Sequence, residues 1–213
     1  MLNNIKSVIT KAYHILLPES CILCDEPDTN LCAACIKGLP RSYESGSSQS
    51  RAFLNYRNYN VRKLLHHIKY YNQPFLAHKI LDYAYLDIQL FIESHTLTDF
   101  VIIPIPADSS RALARGYNQA AIIAKYVSSL LSSHNIRHTY SEALVRTRHT
   151  KRLSHLTGGI EDRKAALKGI YKVLGSHSSD DTSAEIAGKD ILLLDDITTS
   201  GSTYYEAKEA LIH

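Results

Sequence analysis

The side chains best suited to do chemistry fall in two short stretches. The first is Ile191-Leu192-Leu193-Leu194-Asp195-Asp196-Ile197-Thr198-Thr199-Ser200-Gly201-Ser202-Thr203. Four uninterrupted aliphatic residues read as a strand buried on both faces, of the kind found in parallel sheets. Two carboxylates follow where that strand emerges, then hydroxyl residues around one glycine, then a helix expected over residues 202–212. Turn amides and a helix N-terminus attract a phosphate, and the hydroxyls of Thr198, Thr199, Ser200 and Thr203 can donate to its oxygens. Gly201 lets the backbone approach a ligand without a Cβ in the way. Asp195 and Asp196 are good acceptors for vicinal ribose hydroxyls and can touch a divalent cation through water. The plain alternative is a buried strand whose aspartates cap the next helix. The combined order favours a sugar-phosphate site.

The second stretch holds all four cysteines, Cys21, Cys24, Cys32 and Cys35, as two Cys-x2-Cys pairs separated by seven residues. Each pair can present two thiolates to one ion from a tight knuckle. Four sulfurs suit tetrahedral Zn²⁺ and leave no position open for water, so the expected site is structural rather than catalytic. Two disulfides are the alternative, disfavoured in a chain without an export signal. An iron–sulfur cluster is a weaker rival, because four-cysteine clusters more often use other spacings. Few apolar residues flank the knuckles, so the metal is expected to hold the module together.

The elements that must position these groups are legible in outline. The chain has 213 residues, 45% of them hydrophobic, enough for one α/β domain with a small appendage. Residues 1–17 read as an amphipathic helix with Ile5, Val8, Ile9, Ala12, Ile15 and Leu16 on one stripe. Packing on its own domain is the commoner use of such a stripe; peripheral contact with a membrane or a partner is the other. The four-cysteine module is expected over 18–45, and the main domain over 51–213. Phe100-Val101-Ile102-Ile103 is a strand that exits at Pro104-Ile105-Pro106. A helix with the stripe Ala120, Ile123, Ala124, Val127, Leu130 and Leu131 follows Arg111, Arg115, Gly116, Tyr117, Asn118 and Gln119. Short strands are expected at 144–146 and 170–173, and a helix at about 74–91. Strands alternating with helices predict an α/β fold with a mainly parallel sheet and ligands at its carboxyl ends.

A net charge of +3 is too modest to announce a nucleic-acid binder, but its distribution is uneven. No acid occurs between Glu44 and Asp82, a span holding Arg51, Arg57, Arg62, Lys63, Lys69 and Lys79. Tyr56, Tyr59, Tyr70 and Tyr71 interleave with these cations, the combination single-stranded nucleic acid requires. A second acid-free stretch carries Arg146, Arg148, Lys151 and Arg152. Arg57, Arg62, Lys63, Tyr70, Tyr71, Arg148, Lys151 and Arg152 are therefore candidate contacts for single-stranded DNA. A merely solvated basic face explains the charges almost as well. No apolar run is long enough to span a bilayer, and with no signal-peptide core a cytoplasmic protein is expected.

The 191–203 stretch resembles the phosphoribosyl-pyrophosphate (PRPP) motif of type I phosphoribosyltransferases. Together with the four cysteines, Ile103-Pro104-Ile105-Pro106 and Arg115-Gly116-Tyr117-Asn118-Gln119, the chain resembles the ComF family of late competence proteins. The resemblance implies a type I phosphoribosyltransferase-like domain behind an N-terminal zinc module. It places PRPP's 5′-phosphate on Thr198, Thr199, Ser200, Gly201, Ser202 and Thr203, and its ribose hydroxyls on Asp195 and Asp196. Mg²⁺ would accompany the pyrophosphate, with Lys69, Tyr70, Arg111 and Arg115 as candidates near it. Arg146 and Thr150 also fit the pattern, whereas Leu153 and Ala166 stand where that family's loop has Gln and Asn. The implied role is natural transformation: cytoplasmic handling of incoming single-stranded DNA beside other competence proteins such as a helicase-like translocase. The alternative is an active phosphoribosyltransferase with an unidentified acceptor, in nucleotide salvage.

Overall fold

The computed structural model describes residues 19–42, 49–70, 73–108, 116–148, 168–174, 186–198 and 201–212. Two compact units make up the chain, Met1–Tyr83 and Ala84–His213. The expected N-terminal helix lies outside the described residues.

In the first unit, the knuckle around Cys21 closes through Asp25 N donating to the Cys21 carbonyl at 2.8 Å and Cys21 N donating to Glu26 O at 2.7 Å. The turn needs left-handed backbone at Asp25 (φ 61°) and Asp28 (φ 62°), which aspartate tolerates better than most residues. Helix α1, Ala33–Lys37, follows, and its N-cap is Cys32, whose sulfur accepts from Cys35 N. Helix α2 spans Tyr59–Tyr70. Asn58 starts it, its Oδ1 accepting from Asn60 N at 2.9 Å and Val61 N at 3.3 Å. The helix runs on through Lys69 and Tyr70, with Ile68 continuing the buried period of Val61 and Leu64.

The cysteine module has a core after all. Cys21, Leu31 and Leu39 are buried in one cluster with Val61, Leu64 and Ile68 of α2 and with Leu76 and Ala77. Those last two belong to helix α3, Pro74–Ser94, three residues longer than the sequence pattern indicates. The apolar partners the knuckles lack locally are supplied by helices that follow them.

In the second unit, strands β1 (Phe100–Pro104), β2 (His138–Tyr140) and β5 (Asp190–Leu194) form a parallel three-stranded sheet in the order β2-β1-β5. All five residues of the central strand, β1, are buried. Alternation sends Val101 and Ile103 into a cluster with Ala207, while Phe100 and Ile102 face the opposite side. Helix α4, Gln119–Ser133, packs on β1 and β2 through Ala120, Ala124, Val127 and Leu131. A separate antiparallel hairpin pairs β3 (Leu144–Arg146) with β4 (Tyr171–Val173), and helix α5 (Ser202–Ile212) packs on it.

One expectation is corrected here. The strand covered on both faces is β1, whereas Ile191, Leu192, Leu193 and Leu194 of β5 are only half-buried. Among the described residues β5 is an edge strand, with β1 on one side. Its aliphatic composition alone does not give its place in the sheet.

Candidate functional site

Because β5 pairs in parallel with β1 from Phe100↔Asp190 to Pro104↔Leu194, both strands end at the same level. Ile105 N donates to Leu194 O at 2.9 Å, one step past the ladder. Asp195 and Asp196 therefore emerge at the carboxyl edge of the sheet, where open α/β sheets hold their ligands. Asp195 is exposed, and its Oδ1 accepts from Asp196 N at 2.8 Å. Gly201 sits at φ 71°, and a Cβ there would lie 3.4 Å from the Tyr205 ring. The backbone angle favours glycine. Ser202 starts α5 buried, Thr203 is half-buried and Thr198 is exposed. Thr199, Ser200, Arg111 and Arg115 lie outside the described residues.

Two further features lie at this edge: Asp108, which was not singled out from the sequence, and Asn118, whose place in the Arg115–Gln119 stretch did not give its bonds. Asp108, just beyond β1, is buried and pairs with Arg146 at the end of β3, Oδ2 to Nη2 3.5 Å. Asn118 caps α4, its Oδ1 accepting from Ala120 N at 3.2 Å, while its Nδ2 donates to Ile105 O at 3.2 Å. The positive φ of Gly116 (81°) lets the chain turn into that cap. A single acid in a polar run gives no sign of burial. Asn before an apolar-periodic run does signal an N-cap.

The four cysteine sulfurs lie within 4.8 Å of one another, and all four are free thiols. A tetrahedron with metal–sulfur bonds of about 2.3 Å has sulfur–sulfur edges of about 3.8 Å. Cys24 Sγ and Cys32 Sγ stand 3.7 Å apart, so the donor set fits one such ion. Burial pulls the Cys21 thiol up, yet the Cys32, Leu23 and Cys24 backbone N–H groups and the Cys24 side chain bring it down to about 6. Burial and its sulfur neighbours Cys24, Cys32 and Cys21 push the Cys35 thiol up. One thiolate thus forms readily and opposes others beside it, a conflict that a bound cation relieves. The loop between the pairs is tied down by Lys79 of α3, whose Nζ donates to Asn30 Oδ1 at 2.9 Å and Thr29 Oγ1 at 3.3 Å.

Of the candidate DNA contacts, α2 brings three together. At 3.6 residues per turn, Arg62, Lys63 and Tyr70 share one outward face with Tyr59, His66 and Lys69, within an arc of about 120°. Tyr59 is 67% and Tyr70 56% exposed, and the rings of His66 and Tyr70 lie 4.6 Å apart. Arg57 is exposed just before the helix. His66 was missed, although its spacing of four from both Arg62 and Tyr70 puts it on the same stripe. Arg148 belongs to the second unit, where its Nη2 donates to Lys168 O at 2.6 Å. Tyr71, Lys151 and Arg152 lie outside the described residues.

The chain matches no protein-family model. It is 28% identical over 149 residues to Competence protein F of Haemophilus influenzae, covering 70% of this chain. The chain spans 60% of the length of that curated relative. The architecture itself is a mixed α/β one, with a parallel three-stranded sheet and a four-cysteine cluster near the N-terminus. No described helix is long and apolar enough to cross a membrane.

Proposed function

We propose that this protein is a competence factor of ComF type that handles single-stranded DNA during natural transformation. The observation that carries the reading is the outward face of α2. Aromatic rings at Tyr59, His66 and Tyr70 alternate there with the cations of Arg62, Lys63 and Lys69, in a span without a carboxylate. Bases stack on the rings and phosphates meet the cations, with little dependence on sequence. The relative's name supports the competence role. In this reading Cys21, Cys24, Cys32 and Cys35 hold one structural Zn²⁺, and the second unit has a phosphoribosyltransferase-like fold. Its 195–203 segment takes PRPP, with Mg²⁺, or a related sugar phosphate. Other competence proteins, such as a helicase-like translocase, are the expected partners in the cytoplasm.

The test is titration of labelled oligothymidylate with the full-length protein, followed by anisotropy at several salt concentrations. Four cations on phosphates, Arg57, Arg62, Lys63 and Lys69, would give a slope of log affinity against log salt of about −3 on a single strand. Replacing Arg62 and Lys63 by Ala should reduce the slope to about −1.4. Affinity flat with salt, or tighter binding to duplex, refutes the reading.

A second reading, an active phosphoribosyltransferase, is favoured by the carboxyl-edge placement of Asp195 and Asp196 before the Gly201 turn. Here carboxylates would accept from the ribose hydroxyls, and the loop amides would hold the 5′-phosphate. Release of pyrophosphate from PRPP in the presence of candidate acceptors, lost on changing both aspartates, distinguishes it.

A further inference from the structure

Helix α2 has two faces with different tasks. Val61, Leu64 and Ile68 are buried in the cluster that also contains Cys21, Leu31 and Leu39 of the cysteine module, and Cys32 and Cys35 pack against it. The opposite face presents Tyr59, Arg62, His66 and Tyr70 to solvent, with Lys63 half-buried beside them. A twelve-residue helix is marginal in water by itself, so α2 depends on what its apolar face packs against. That surface is built from a module whose four sulfurs lie within 4.8 Å of one another, a donor set that fits one tetrahedral ion.

We propose that occupancy of the four-cysteine site controls nucleic-acid affinity by holding α2 folded and in place, through the shared core and without the ion touching DNA. The inference rests on α2 being the DNA-binding face; the coupling between metal and helix rests on the packing alone. With the metal bound, Leu31 and Leu39 stay in one cluster with Val61 and Leu64, and the outward rings and cations keep their helical spacing. Without it the sulfurs separate, the module loosens, and the stripe loses the periodicity that lets successive nucleotides meet successive side chains.

The full-length protein, loaded with zinc, is titrated with oligothymidylate before chelation, after chelation, and after zinc is restored. Amide hydrogen exchange is followed in parallel. Chelation should weaken binding at least tenfold and restored zinc should reverse it. Exchange over Val61–Lys69 should rise at least tenfold, while Val101–Ile103 of β1 stays unchanged. Leu31→Ala keeps every cysteine and every stripe residue. It should retain one zinc per chain yet bind DNA at least fivefold more weakly, with faster exchange in α2. Equal affinity with and without zinc, or α2 exchange unaltered by chelation, overturns the proposal. If zinc-loaded protein binds no DNA, the function proposed above fails, and the exchange result alone decides the coupling. Should Leu31→Ala fail to fold, the chelation and restoration series still decides between coupling and independence.

Discussion

Changing Asp108 to Asn tests whether the buried ion pair anchors the carboxyl edge of the sheet. The side chains of Asp108 and Arg146 are 1% and 11% exposed, and the closest pair of charged atoms is 3.5 Å apart. Removing one charge from such a pair leaves the other buried against a neutral group, which costs about 3–5 kcal/mol. The pair is longer than a good charge-assisted hydrogen bond of about 2.8 Å, which favours the lower end of that range. At about 2–4 °C per kcal/mol, the second unit should melt about 6–12 °C lower. Calorimetry of the full chain gives the shift, and hydrogen exchange of β1 assigns it to this unit. The double variant Asp108→Leu with Arg146→Met removes both charges and should recover most of the loss. An Asp108→Asn protein melting within about 2 °C of the wild type, with β1 exchange unchanged, refutes the anchoring argument.

Three other outcomes follow from the same reasoning. Burial holds the His67 imidazole below its ordinary value, the Gln73 side chain raises it, and Lys63 and His66 lower it further. The unfolded chain therefore binds the proton first, so stability is lost as pH falls below about 6.5; His67→Gln should flatten urea midpoints between about pH 5 and 8. Gly201→Ala forces a Cβ into left-handed backbone at φ 71° against the Tyr205 ring, and should cost about 1–2 kcal/mol, read as a lower melting temperature. Changing Asp195 and Asp196 together to Asn should weaken PRPP at least tenfold, about 1.4 kcal/mol, in a calorimetric titration and leave oligothymidylate binding intact.

What was legible in the sequence was whatever has a local signature. Strand β1 follows from its apolar run, α4 from its 3.6-residue stripe, and the cysteine cage from its spacing. What was hidden depends on contacts distant along the chain. Strand β2 is His138-Thr139-Tyr140, three half-buried residues without an apolar run, and only its pairing with β1 makes it a strand. Among the described residues, β5 stands at the edge of the strand order, a place its own residues do not encode. The core under the cysteine knuckles is contributed by α2 and α3, so a local count of apolar residues misses it. Burial of Asp108 likewise depends on Arg146, on another strand.

The packing also changes how the Arg115–Gln119 segment should be understood. Its position after the Pro-x-Pro strand end suggests a ligand contact, yet Asn118 also serves the architecture. One side-chain atom caps α4 and another holds the Ile105 carbonyl, whose own N–H is bonded to Leu194 beside the aspartates. Each bond contributes about 1 kcal/mol, and together they connect the start of α4 to the exits of β1 and β5. Gln119 is buried as well, on the inner face of the first helical turn. Within this segment, then, Asn118 helps to set where the carboxyl edge lies. Within the described part of the segment, Gly116 is exposed and Tyr117 and Asn118 are half-buried. A defect caused by altering Asn118 would report the anchorage of the edge before it reported recognition of a sugar phosphate.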